Sequence, residues 1–113
     1  MSQKEKIYLC LTTVSNKREA QALASQIVEK RLAACVQLDS PVTSFYRWKG
    51  KVEQDEEIRM QIFAPAQTLD ELTKFVTENH PYDTPKWICI EAEKVSEKYL
   101  KWANEVCNLR GFI

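Results

Sequence analysis

The sequence predicts an α+β sandwich of order β-α-β-β-α-β, with a further helix at its C-terminal end. Three observations carry this. Two segments with a helical apolar period each follow an extended, apolar run. A Lys49-Gly50 dipeptide sits between two strand-like patterns, as in a two-residue hairpin turn. Gly50 and Gly111 are the only glycines of 113 residues, so regular elements dominate and no glycine-rich phosphate loop is available. A chain of this length is expected to form a single domain spanning 1–113.

Ile7 to Val14 is apolar and β-branched, and reads as a buried strand. Asn16 can cap the helix that follows, with Glu19 completing a capping box. Ala20, Leu23, Ala24, Ile27, Val28 and Leu32 then form one apolar stripe. Ala34 to Leu38 begins a second strand. Pro41 interrupts it, which marks an edge or a bulge, and the extended pattern resumes from Val42 to Trp48. After Lys49-Gly50 the return strand alternates Ile58, Met60 and Ile62 with Arg59 and Gln61. The polar run Glu53 to Glu57 is too hydrophilic for a core and is expected near the far end of this long hairpin. Thr68 and Glu71 read as a second capping box, ahead of Leu69, Leu72, Phe75 and Val76. A double-proline loop ends that helix. Trp87 to Ile90 is a short last strand. Ser96 is expected to cap a third helix, with Tyr99, Leu100, Ala103, Val106 and Cys107 on one face. This order is the ferredoxin-like one: a four-stranded antiparallel sheet with two helices on one face. The other face needs a cover, which the third helix supplies in part. The hairpin exceeds the usual strand length of about 5–6 residues. Its unpaired edges invite a second copy, and closed symmetry is the usual outcome. A homo-oligomer is expected.

Sixteen basic residues balance 16 acidic ones. That argues against a nucleic-acid binder held by phosphate attraction. No apolar run reaches the ~20 residues of a membrane span. The polar start, Met1 to Lys6, has no signal-peptide core, so a cytoplasmic protein is expected. Cys10, Cys35, Cys89 and Cys107 include no CxxC pair. They read as reduced, buried thiols.

The sole histidine, His80, lies in Asn79-His80-Pro81-Tyr82-Asp83-Thr84-Pro85. Histidine is the usual residue for metal ligation or proton transfer near neutral pH, but a metal site needs three or four donors. The plainer reading is that His80 caps the C-terminus of the second helix. Tyr46, Trp48, Tyr82, Tyr99 and Trp102 form an aromatic set that reads as subunit packing, or as the lining of a pocket between subunits. No nucleophile has an adjacent base, and no carboxylate pair has a catalytic spacing.

Four segments together carry a family resemblance: Arg31-Leu32-Ala33-Ala34-Cys35, Ser44 to Lys51, His80 to Pro85, and Tyr99-Leu100-Lys101-Trp102. In this order and spacing the chain resembles the CutA-type divalent-cation tolerance proteins, from about Ile7 to Val106. The resemblance implies a ferredoxin-like fold, a homotrimer, a cytoplasmic location, and a link to copper and other divalent cations without enzymatic activity. Metal-site proposals in that family use a first-strand residue and a histidine or histidine pair at the loop. Carried onto this chain, those positions are Thr12 and His80, with Asn79 where some members have a second histidine. Cys10 lies on the same strand face as Thr12, about 7 Å away. Lys86 stands where many members have glutamate, and Phe63 where many have lysine. The function expected from the resemblance is therefore a non-enzymatic trimer with at most weak copper or other divalent-metal binding. The alternative is a PII-like trimeric sensor that binds a small molecule between subunits.

Overall fold

The computed structural model describes residues 6–108. The elements are β1 (Ile7–Val14), α1 (Lys17–Glu29), β2 (Cys35–Leu38), β3 (Val42–Trp48), β4 (Lys51–Pro65), α2 (Ala66–Asn79), β5 (Ile88–Glu91) and α3 (Glu97–Val106). The sheet is antiparallel, in the order β2-β4-β1-β5, and β3 pairs with the other end of β4. β2 and β3 are thus one strand broken around Pro41, as the sequence predicts. The 15 residues of β4 serve both halves: Lys51 to Glu57 pair with β3, and Met60 to Phe63 with β2.

Side chains of Cys10, Val14, Ile58, Met60, Ile62 and Ala64 meet Ala20, Leu23 and Ile27 of α1 and Leu72 and Val76 of α2 in the main core. On the opposite sheet face, α3 covers only one end. There Ile7 and Ala34 pack against Ala103 and Cys107. Beyond α3 the outer face stays open, with Ile88 48% and Ile90 49% exposed.

The local chemistry explains most boundaries. Asn16 caps α1, its side chain accepting from the Glu19 backbone N–H at 2.9 Å. At the other end, Leu32 N–H bonds to Ile27 O and Arg31 N–H to Val28 O, with Arg31 at φ 61°. This is a Schellman closure made without the usual glycine. Lys49 and Gly50 have φ 50° and 80°, the two positive values of a type I′ turn.

Three expectations need correction. Thr68 does not cap α2. The helix starts at Ala66 after Pro65, whose fixed φ suits a helix entrance, and Thr68 lies inside the first turn. Its hydroxyl donates instead to Leu32 O at 2.8 Å, tying α2 to the end of α1. Ser96 does occupy the cap position of α3, but its side chain makes no capping bond. The Glu53–Glu57 run lies along the body of the hairpin, opposite Val42 to Tyr46, while the tip is Lys49-Gly50.

Candidate functional site

The loop after α2 is pinned to three elements. Trp87 Nε1 donates to Thr73 Oγ1 on α2 at 3.0 Å. Tyr82 Oη donates to Glu57 Oε2 on β4 at 2.7 Å. The His80 ring reaches β1, with Nε2 2.9 Å from Thr13 O and 3.0 Å from Thr12 Oγ1. So His80 stands at the C-cap position, but its side chain is not the cap. Asn79 takes that role, its Nδ2 donating to Phe75 O at 2.8 Å.

The hydrogen bonds fix the histidine tautomer. The Tyr82 backbone N–H donates to Nδ1 at 3.0 Å, so Nδ1 carries the lone pair. A carbonyl can only accept, so Nε2 carries the proton and donates to Thr13 O. Burial pushes the His80 pKa down. The Thr13 carbonyl and the charges of Glu19 and Glu57 oppose this without reversing it. Protonating Nδ1 would turn it toward a donor, so the geometry also favours the neutral ring.

This arrangement does not fit a transition-metal centre. A ligating ring nitrogen needs a free lone pair, and both nitrogens are engaged. The structure does bring Thr12 to His80, but a hydroxyl is a poor second donor. Cys10 is fully buried and pairs across the sheet with Cys89, in register. Among the described residues no three His, Cys, Asp or Glu side chains group as a metal site.

A groove of about 890 Å³ opens between the loop and the hairpin. Tyr46, Trp48 and Tyr82 line it together with Thr13, Glu57 and Lys86. Tyr99 and Trp102 are not among its lining. They contact each other on α3, with ring centroids 5.6 Å apart. Glu57 is the hub of the groove. Burial pushes its carboxyl up, but hydrogen bonds from Ser44, Tyr82 and Thr13 and the charge of Lys86 outweigh this, and the net shift is downward. Tyr46 donates to Asp55, which pushes the phenol up to about 12. Burial and then Glu57 push the Tyr82 phenol up as well.

Glu57 is the residue that sequence reasoning missed. Within an acidic run it looks like any solvated carboxylate. The available signal was its position next to Ile58, where the alternating core pattern begins and the hairpin joins the sandwich.

The family model described as CutA1 divalent ion tolerance protein matches residues 8–106. "Protein CutA" of Mus musculus is 42% identical over 94 residues, covering 83% of this chain and 53% of the mouse protein. The chain therefore spans about half the length of the mammalian relatives it matches. The crystal structure of CutA1 from Oryza sativa superposes with TM-score 0.88 at 34% identity, covering 95% of this chain and 98% of that one. The periplasmic divalent cation tolerance protein CutA from Archaeoglobus fulgidus gives TM-score 0.84 at 31% identity, covering 88% and 97%.

Proposed function

The chain belongs to the CutA1 divalent ion tolerance protein family, and from this premise we propose that it works as a homotrimer in the response to divalent cations, copper among them, without enzymatic activity. The observation that carries this reading is the family match over residues 8–106, nearly the whole described chain. Metal contact through His80 is weak at most in this reading, because the ring's two nitrogens already serve Thr13 and Tyr82. Assembly is supported by the uncovered Ile88 and Ile90 and by the exposed hairpin residues Phe45, Trp48 and Val52. Apolar surface of this kind marks interaction sites.

No helix among the described residues is long and apolar enough to cross a membrane. The working compartment in this reading is the cytoplasm, although the Archaeoglobus relative is described as periplasmic. The whole chain acts as one domain, with self and divalent cations as its partners and no role for nucleic acid.

The test is calorimetric titration of the purified oligomer with Cu(II), alongside His80→Ala. The expected result is no saturable micromolar isotherm in either protein. A micromolar isotherm that His80→Ala abolishes would overturn the weak-binding reading.

One observation favours a second reading, a PII-like sensor. The groove joins exposed aromatic rings to a partly buried, hydrogen-bonded carboxylate, Glu57, in a space large enough for a small molecule. A metabolite bound there raises the Tm by mass action. A broad metabolite panel with no thermal shift counts against it.

A further inference from the structure

Two thiols lie side by side in the sheet, away from the histidine and the groove. Cys10 on β1 and Cys89 on β5 are register partners, and both are free. The ladder between these strands can be phased. Ala92 N–H donates to Ile7 O at 2.9 Å, so Ile7 and Ala92 occupy a hydrogen-bonded position. Alternation then makes Leu9 with Ile90 a second such pair and puts Cys10 with Cys89 at a non-hydrogen-bonded position. At such positions the Cα atoms are about 4.5 Å apart and the side chains come closest. Both cysteines face the main core: Cys10 belongs to it, and Cys89 packs against it. Burial, and after it the neighbouring Cys89 thiol, push the Cys10 pKa up.

We propose that Cys10 and Cys89 form a two-coordinate clip for a soft, thiophilic divalent cation, the class to which Hg(II) belongs. The spacing admits a bridging ion. Facing Cβ atoms lie roughly 4.5–5.5 Å apart, and closer at non-hydrogen-bonded positions such as this one. Two sulfur–metal bonds of about 2.3 Å can reach between side chains at that separation. Thiolates select soft cations. No described His, Asp, Glu or further Cys side chain joins the pair as a third ligand, which suits ions content with two.

Charge sets the valence. The site lies among apolar side chains such as Ile62 and Val36, in the same row across the sheet. An uncompensated charge there is costly. Two thiolates and one divalent cation sum to zero. Each S–H bond gives way to an S–metal bond, two protons leave to solvent, and no atom changes oxidation state. Metal ligation needs both thiols deprotonated, so the ion must displace their protons and binding strengthens as pH rises. The ion arrives through Cys89, which is partly exposed on the four-residue edge strand, because Cys10 itself has no exposed surface.

The test uses the 113-residue chain with Cys35→Ser and Cys107→Ser, which leaves Cys10 and Cys89 as its only cysteines. Hg(II) is titrated while the ultraviolet sulfur-to-metal band, proton release and thiols reactive to Ellman's reagent are followed. The expected result is a break at one ion per chain, two protons released, and both thiols lost together. Adding Cys89→Ser should weaken binding about 100-fold or more, since one of the two bonds is gone. Cys89→Ala, at a partly exposed position, gives the same result if serine perturbs folding. The ion should also raise the Tm, because it binds the folded pair. Two ions per chain, unchanged affinity in both Cys89 variants, or a lowered Tm would each overturn the proposal.

Discussion

His80 is worth more to the fold than to ligand chemistry. Its ring satisfies a carbonyl on β1 and an N–H in its own loop, so removing it leaves both unpaired. His80→Ala should cost about 1–3 kcal/mol, the penalty for orphaned buried polar groups, read as a lower urea midpoint with an unchanged m-value. The pH dependence follows from burial. The folded pKa lies below the ordinary value of 6.5, and the unfolded one lies near it. Between the two, the unfolded chain binds more protons, so stability is full above about pH 6.5 and falls as the pH drops through this window. His80→Ala should lose that slope, and a slope that persists would assign it to another group. The sequence made the histidine's place at the end of α2 legible, because helix ends are written locally. The ring's partners lie 67 and 68 residues away on β1, and no local pattern announces them. For the same reason Glu57 was lost in its acidic run: its Tyr82 partner is 25 residues on.

At the scale of elements, the short-range signals were the dependable ones. The Asn16 cap and the Lys49-Gly50 turn formed as their residues dictate. Thr68 failed because its Thr-x-x-Glu pattern is compatible with a cap but does not require one. The preceding Pro65 had already opened the helix, and the hydroxyl was needed by Leu32. Two backbone positions make opposite predictions. Gly50 holds φ 80° with no neighbour that a Cβ would strike, so Gly50→Ala carries only the left-handed backbone penalty, about 1 kcal/mol. Arg31 already bears that penalty at φ 61° in the Schellman closure of α1. Arg31→Gly should raise stability by about 0.5–1 kcal/mol, less than the full penalty because glycine also loosens the unfolded chain. Chemical denaturation of the two variants checks both signs, and a stabilising Gly50→Ala or a destabilising Arg31→Gly would contradict the backbone argument.

The whole molecule is extended beyond what its length requires. Its radius of gyration is 14.8 Å and its extents are 44 × 30 × 23 Å, against about 13 Å expected for a compact chain of this size. The excess comes from the hairpin of β3 and β4, whose outer part has no second layer. Phe45 and Val52 there are each 68% exposed, a poor use of large apolar side chains in an isolated chain. The open sheet face has the same character. Leu9 stands beside Ile90 and Leu11 beside Ile88 in rows across β1 and β5, with α3 covering only the neighbouring row at Ile7. Burial of such a side chain contributes about 1.5–3 kcal/mol, so both surfaces gain from contact with another copy. If they build the proposed trimer, charge on the sheet face must oppose it. Ile88→Lys with Ile90→Lys should lower the mass measured by light scattering from that of three chains toward one, with the far-ultraviolet circular dichroism retained. Trp48→Ala tests the hairpin separately. A trimer mass unchanged in both variants would remove these surfaces from the interface, and a wild-type mass of one chain would remove the trimer itself.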